Sequence, residues 1–99
     1  MNLTDIAIRA AKPKDKPSKI YDSHGLFLLV NPDGSKLWRW RYPFDGREKL
    51  MAFGEYPIVT LAHARELHFA GRRALTASID PMAERKAKQS EAKARQREM

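Results

Sequence analysis

The chain has 99 residues, which is the usual length of one small domain. Its formal net charge of +7 and its pI near 10.0 are typical of proteins that meet nucleic acid or an anionic surface. The absence of cysteine excludes disulfides and thiolate metal sites. The longest apolar run, Leu26–Val30, is too short to span a bilayer, and the first residues lack a signal-peptide core. We therefore expect a cytoplasmic protein with no membrane partner.

A short helix is predicted over Leu3–Ala11. Thr4 is a favourable N-cap, and Leu3 and Ile8 occupy the two positions of a hydrophobic staple. Two turns are not stable alone, so this helix must dock onto the rest of the chain. The following segment, Lys12–Lys19 (KPKDKPSK), is predicted to be a linker because its prolines oppose helix and sheet. Its lysines fit either a solvated loop or a basic arm along phosphates.

Three runs of apolar and aromatic residues come next, and turn residues separate them. Pro32-Asp33-Gly34-Ser35 and Phe44-Asp45-Gly46 are typical of β-hairpin connections, because glycine supplies positive φ and aspartate bonds its own backbone. We therefore predict a three-stranded antiparallel meander with strands Leu26–Asn31, Lys36–Tyr42 and Arg47–Phe53.

The middle strand alternates strictly, so its two faces carry different chemistry. One face holds the bulky rings of Trp38, Trp40 and Tyr42. The other face holds Leu37, Arg39 and Arg41. Two neighbouring arginines repel each other, which favours a solvated face that meets an anionic partner.

The third strand is mixed on both faces, so its pattern alone does not fix its register. We assign Met51 and Phe53 to the aromatic face because this gives the larger apolar set. A shift of one residue would instead bring Arg47 and Lys49 to the arginine face and turn Leu50 inward. In the assigned register the arginine face is unusually apolar, as contact sites often are. Its predicted members are Phe27, Leu29, Asn31, Leu37, Arg39, Arg41, Glu48, Leu50 and Ala52.

The main helix is predicted to begin after the N-cap Thr60 and to end before Pro81. Its apolar stripe, which includes Leu61, Ala64, His68 and Leu75, is the natural cover for the aromatic face. The fold class is therefore α+β: a three-stranded antiparallel sheet packed on one main helix, with a short N-terminal helix and a charged helical or disordered C-terminal tail. We expect a domain over residues 1–82 and a charged linker or tail over 83–99.

Catalytic and cofactor motifs are missing from the sequence. His63 and His68 are five residues apart, so they make a poor metal pair on a helix, and the glycines form no phosphate-binding loop. His68 is predicted to pack on the sheet as an ordinary helix residue. We expect no enzymatic activity, no metal and no cofactor from these residues.

The arginine face is the candidate site, because a three-stranded sheet is narrow enough for a major groove about 12 Å wide. Arginine can bind guanine there through two hydrogen bonds. The candidate DNA contacts are Arg39 and Arg41 to base edges, Lys36, Arg47 and Lys49 to phosphates, Asn31 to adenine or phosphate, and Leu29, Leu37 and Leu50 to thymine methyl groups. In the alternative interpretation, Arg39 and Arg41 pair with Glu48 as exposed salt bridges, each worth about 0–1 kcal/mol.

Five segments in this order resemble one known domain: LTDIAIRAAKP (3–13), GLFLLVNPDGSKLWRWRY (25–42), GEYP (54–57), TLAHARELH (60–68) and SIDPMAERK (78–86). The chain resembles the N-terminal arm-type DNA-binding domain of prophage and genomic-island integrases, which are tyrosine recombinases. The resemblance implies a helix-backed three-stranded sheet that enters the major groove at arm-type repeats, with Arg39 and Arg41 on its outer side. The family usually has glycine where Ser78 stands and a small residue where His68 stands.

The same resemblance implies partners beyond the DNA. Such integrases continue into a core-binding domain and a catalytic domain with the tyrosine nucleophile, which these 99 residues do not include. The chain is then either a fragment of a longer enzyme or an orphan domain. Two other functions stay open on the sequence. One is RNA or single-strand binding through exposed Trp38, Trp40 and Tyr42. The other is a protein-interaction domain whose edge strand takes a partner strand.

Overall fold

The computed structural model describes the backbone of residues 3–97 and the side chains of residues 3–89. The class is α+β, as predicted, but the antiparallel sheet has four strands and not three. The elements in order are α1 (Asp5–Ala10), β1 (Ser18–Tyr21), β2 (Leu26–Val30), β3 (Lys36–Phe44), β4 (Arg47–Tyr56), α2 (Leu61–Thr76) and α3 (Pro81–Arg97). The chain forms two compact units, Met1–His68 and Phe69–Met99. Among the described residues, no helix has the length and apolar character needed to cross a membrane.

The additional strand is β1, whose first half, Ser18 and Lys19, falls in the predicted linker and whose second half, Ile20 and Tyr21, fits a short extended piece. It pairs antiparallel with β2, so that Lys19 lies opposite Leu29 and Tyr21 lies opposite Phe27. The strand order is β1-β2-β3-β4. A four-residue strand behind a proline is too short to show a recognisable pattern of its own, so its pairing with β2 is needed to identify it.

Strand β3 ends two residues later than predicted because a two-residue turn joins it to β4, whereas β4 begins at Arg47 as predicted and continues three residues further, to Tyr56. Asp45 and Gly46 have φ values of 53° and 73°, as a type I′ hairpin turn requires. Both strands therefore continue to the turn, up to Phe44 and from Arg47. Strand β2 ends at Val30, one residue earlier than predicted.

The assigned register of β4 is confirmed. Met51 lies opposite Trp40, whereas Leu50 lies opposite Arg41 on the other face. Phe53, two residues after Met51, is also buried by the ordinary alternation of the strand, and the register shifts just beyond it, where Gly54 lies opposite Trp38. The shifted register, with Leu50 inside, does not occur.

The aromatic face of the sheet forms the core of the first unit. Trp38 and Trp40 are at most 1% exposed, and both indoles still satisfy their N–H groups. Trp38 Nε1 donates to the carbonyl of Val59 at 2.7 Å, and Trp40 Nε1 donates to that of His24 at 3.0 Å. His68 of α2 is buried and meets the Trp40 ring edge-on at 5.2 Å, which confirms its predicted packing role. Further buried side chains of this face are Leu26, Leu28, Val30, Tyr42, Met51 and Phe53.

Helix α1 is docked through its end and its apolar side. The predicted N-cap is confirmed, because Thr4 Oγ1 accepts from the N–H of Ala7 at 3.2 Å. Ile8 is fully buried, and its carbonyl accepts from Nζ of Lys36 on β3 at 2.7 Å. These contacts supply the stability that two isolated turns lack.

A buried aspartate joins three parts of the first unit. Asp22, in the turn after β1, accepts from the N–H of Leu3 at 2.8 Å. Arg65 of α2 donates to both Asp22 oxygens, at 3.2 and 3.0 Å, and to the carbonyl of Leu3 at 2.8 Å. Burial alone would raise the pKa of Asp22, but the hydrogen bonds from Arg65 and Leu3, with the charges of Arg65 and His68, lower it below the ordinary value.

The second unit begins within helix α2. This helix ends in a Schellman motif. The N–H of Ser78 donates to the carbonyl of Leu75 at 2.9 Å, and that of Ile79 donates to Ala74 at 2.9 Å. Ser78 itself has φ 59°, the left-handed conformation that favours glycine. The sequence already differs here from the glycine of the family it resembles.

Helix α3 occupies the segment predicted to be a frayed helix or a disordered tail. Asp80 caps it, with Oδ1 accepting from the N–H of Met82 at 3.1 Å, and Pro81 is its first residue. Pro81, which was predicted to prevent continuation of the main helix, is thus also the first residue of α3. Residues 98 and 99 of the predicted tail lie outside the described residues.

We expect Arg65→Met to lower the free energy of unfolding by about 2–3 kcal/mol at neutral pH, because a buried carboxylate loses its main donor. Without Arg65, burial raises the pKa of Asp22. In the parent, the lowered pKa of Asp22 stabilises the folded state at pH values above the ordinary aspartate pKa of about 3.9. This stabilisation is lost as the pH falls through the lower pKa that Asp22 has in the folded state. The difference in the free energy of unfolding between the parent and Arg65→Met should therefore become smaller below about pH 4, as measured by urea unfolding.

Arg72→Met is the matched control, since Arg72 lies on the same helix and has no hydrogen bond or ion pair within the described side chains. It should change stability little at any pH. If the free energies of unfolding of the parent and Arg65→Met differ by the same amount from pH 6 to pH 3, this account is contradicted.

We expect Ser78→Gly to raise the free energy of unfolding of the second unit by about 0.5–1 kcal/mol, because glycine adopts the left-handed conformation without strain. Thermal unfolding followed by far-ultraviolet circular dichroism measures the change. Ala70→Gly, in the interior of α2, is the control and should be destabilising by about 1 kcal/mol. Equal or lower stability of Ser78→Gly would refute the prediction.

Candidate nucleic-acid interface

The side of the sheet opposite the core, here called the outer face, combines cationic and apolar side chains. Strand pairing fixes its membership. Tyr21 and Leu50 are 59% and 48% exposed, so large apolar groups of this face are open to solvent. The members are Lys19 and Tyr21 on β1, Phe27 and Leu29 on β2, Leu37, Arg39, Arg41 and Pro43 on β3, and Glu48, Leu50, Ala52 and Glu55 on β4.

Arg39 and Arg41 both lie on the outer face, as predicted, but they have different surroundings. Arg39 is half-buried, donates to the carbonyl of Trp38 at 3.1 Å, and has no ion pair among the described residues. Arg41 Nε lies 3.4 Å from a carboxylate oxygen of Glu48, so the alternative salt bridge forms at this arginine. Both side chains of that pair are well exposed, and such pairs are worth only about 0–1 kcal/mol. Arg41 can therefore exchange this partner for another anion.

The backbone around Arg41 is held by a close approach of the β1–β2 turn. The N–H of Arg41 donates to the carbonyl of Gly25 at 3.0 Å. Gly25 has φ 85°, and a Cβ at this position would overlap the carbonyl oxygen of Arg41. Only glycine permits this contact, which fixes where β3 presents Arg41.

The three cations predicted to reach phosphates lie on the opposite side of the sheet from the two arginines. Lys36, Arg47 and Lys49 share the face of Trp40 by strand pairing. Lys36 is bound to the carbonyl at the end of α1, and Lys49 Nζ lies 5.6 Å from the centre of the Phe44 ring. The structure therefore does not bring these cations together with Arg39 and Arg41.

The remaining predicted contacts lie on the outer face or at its end. Leu29 and Leu37 face each other across β2 and β3 and are half-buried, and Leu50 is opposite Arg41. Asn31 lies in the β2–β3 turn, where its Nδ2 donates to Ser35 Oγ at 2.9 Å. In the same turn Ser35 donates from its N–H and its hydroxyl to Asp33, which lowers the pKa of that carboxyl.

The sequence missed a cluster of cations and rings that the strand β1 adds to the outer face. Phe27 is only 2% exposed, although it lies on this face. Its ring centre is 5.2 Å from Lys19 Nζ, 6.0 Å from Arg41 Cζ and 5.7 Å from the ring centre of Tyr21. The alternation of Lys19 and Tyr21 around Ile20 was the available signal, but it is too short to identify a strand unaided.

Two other kinds of site find little support in the geometry. Within residues 3–89, no three His, Asp or Glu side chains converge to hold a metal ion. Trp38, Trp40 and Tyr42 are at most 1% exposed, so single-strand binding lacks the exposed rings on which that alternative depends.

Comparison with known proteins identifies a family and several relatives of this chain. Residues 3–88 match the family described as the arm DNA-binding domain. The chain is 44% identical over 85 residues to the integrase of Shigella phage Sf6 and to the prophage integrase IntS of Escherichia coli K12, in each case over 86% of the chain and 22% of the relative. It is 50% identical over 82 residues to the prophage integrase IntZ of the same strain, over 81% of the chain and 20% of the relative.

The chain thus spans about a fifth of the length of these curated relatives. The match covers all four strands, the helix that supplies Arg65 and the start of α3. The chain belongs to the arm DNA-binding domain family, and its relatives are integrases of phages and prophages.

Proposed function

We propose that the chain binds double-stranded DNA at arm-type repeats by inserting the outer face of its sheet into the major groove. The observation that carries this proposal is the position of Arg39 and Arg41 side by side on a partly apolar face of a sheet whose other face is a closed aromatic core. The rigid core fixes the backbone from which both arginines project. A guanidinium held in this way can bind guanine O6 and N7 through two hydrogen bonds.

The apolar members of the outer face extend the same proposal. Leu29, Leu37 and Leu50 flank the arginines and would contact thymine methyl groups in the groove. Asn31, at the end of the face, would contact an adenine edge or a phosphate. Lys36, Arg47 and Lys49, on the opposite side, would act mainly through their charge at longer range.

The wider role that we propose follows from the integrase relatives. The chain would deliver arm-site binding to a phage-type integrase, a tyrosine recombinase whose core-binding and catalytic domains carry out strand exchange. Residues 1–82 would form the DNA-binding domain, and residues 83–99 the linker toward those domains. The chain's own residues would contribute recognition and no chemical step.

We expect Arg39→Ala and Arg41→Ala each to weaken binding by about 5- to 150-fold, which corresponds to about 1–3 kcal/mol for the loss of a two-bond contact to guanine. The probe is a duplex selected with the parent chain from a random library, and fluorescence anisotropy at fixed salt measures the dissociation constant. The variants should also lose discrimination between the selected duplex and one with a changed guanine.

Arg47→Ala is the matched control because it removes the same charge from the opposite side of the sheet. It should weaken binding much less and should leave the sequence preference unchanged. Binding of the selected duplex by Arg41→Ala with the affinity of the parent would refute the outer-face proposal. Selection of no duplex at all would refute DNA recognition by this chain.

A further inference from the structure

We propose that the DNA-contacting surface is displaced toward β1, where Lys19 and Tyr21 contact the sugar-phosphate backbone and Phe27 acts as a positioning residue for Lys19 and Arg41. This inference rests on the proposed function and adds Tyr21 and Phe27 to the site, whereas Lys19 belongs to the segment whose lysines were already considered as a basic arm along phosphates. It also predicts which edge of the sheet meets the wall of the groove.

The width of the sheet is the first step. Neighbouring strands are about 4.8 Å apart, so the axes of β1 and β4 are separated by roughly 14 Å. The major groove is only about 12 Å wide. A sheet of four strands therefore cannot lie centrally in the groove, as three strands could, and one edge strand must face the phosphates of a groove wall.

The distribution of charge selects the edge. Strand β4 contributes two carboxylates to the outer face, Glu48 and Glu55, and both are exposed. Strand β1 contributes Lys19, which has no ion pair among the described residues. The segment before β1 adds three exposed lysines, Lys12, Lys14 and Lys16, and only one carboxylate, that of Asp15. Arg47 and Lys49 of β4 lie on the inner face, so on the outer face phosphates are attracted more strongly to the β1 edge than to the β4 edge.

The buried ring of Phe27 is the third step. It lies between Lys19 on β1 and Arg41 on β3, with its centre 5.2 Å from Nζ and 6.0 Å from Cζ. The attraction of both cations to one ring holds them in place although their like charges repel. Less side-chain freedom is then lost when the two cations bind an anion.

Tyr21 completes the edge. Its ring packs against Phe27 at 5.7 Å, yet the side chain is 59% exposed, so its hydroxyl is open to a partner. Tyrosine hydroxyls are regular donors to DNA phosphates. A phosphate bound between Lys19 and Tyr21 would lie directly beside the base-contacting arginines.

Lys19→Gln tests the proposal on the full chain with the selected duplex, and Lys49→Gln, which removes the same charge from the other face, is the control. We expect Lys19→Gln to weaken binding several-fold and to reduce the slope of log affinity against log salt by about 1. Lys49→Gln should lower the affinity and the slope much less than Lys19→Gln does, because its charge lies on the other face and acts only at longer range. Tyr21→Phe should weaken binding without changing the slope, since it removes a neutral donor.

Phe27→Leu tests the positioning role, because leucine keeps the site apolar but removes the ring. Phe27→Leu should weaken binding. Lys19→Gln should then reduce the affinity by a smaller factor in the Phe27→Leu background than in the parent. Circular dichroism of each variant checks that the fold is retained. Should Phe27→Leu not fold, Lys19→Gln and Tyr21→Phe still decide the proposal, as both residues are exposed.

The outcomes separate this inference from the function on which it rests. If Arg41→Ala weakens binding while Lys19→Gln and Tyr21→Phe bind as the parent does, the displacement toward β1 is overturned and the outer-face proposal stands. If Lys49→Gln lowers the affinity and the salt slope as much as Lys19→Gln, the displacement is overturned as well. If the parent binds no duplex, both proposals fail together.

Discussion

The contact between Asp22 and Arg65 is the constraint on which the first unit depends. Asp22 follows β1, Arg65 lies 43 residues later on α2, and both bind the backbone of Leu3 at the start of the described chain. One carboxylate thus fixes the N-terminal segment, the first hairpin turn and the main helix relative to one another. The turn it holds also carries Gly25, whose carbonyl binds the backbone of Arg41. The position of a candidate DNA contact is therefore set by an interaction on the inner side of the fold.

The same turn links the core to the outer face. The carbonyl of His24 accepts from the indole of Trp40 and lies 3.1 Å from Nε2 of His68. No buried side-chain nitrogen or oxygen within the described residues lacks a partner. The polar groups of this core thus add specificity without leaving an uncompensated cost of burial. Because the core is well packed, the domain tolerates exposed cations on the outer face of the sheet. The repulsion between such cations would destabilise a loosely packed domain.

Most of the sheet could be predicted from the sequence because its signals are local. The alternation of Trp38, Arg39, Trp40 and Arg41 fixes which side chains share a face, and Asp45-Gly46 fixes the hairpin. Strand β1 was not predicted as a member of the sheet, since a strand of four residues depends on pairing with a partner that its own pattern does not reveal. The ion pair of Asp22 with Arg65 and the ring cluster at Phe27 join distant positions, so they become visible only in three dimensions. The sequence thus predicted the face on which Arg39 and Arg41 lie, but not the ring and the cation that β1 adds to that face.

The burial of both tryptophans has a practical consequence for work in solution. The chain has two tryptophans, and both lie on β3 within the first unit. Intrinsic tryptophan emission therefore reports on the first unit alone, whereas far-ultraviolet dichroism is weighted toward the helices, most of whose residues belong to the second. A comparison of the two signals during unfolding would reveal whether the units melt together or in sequence. The protein thus carries its own spectroscopic label, placed behind the surface where DNA would bind.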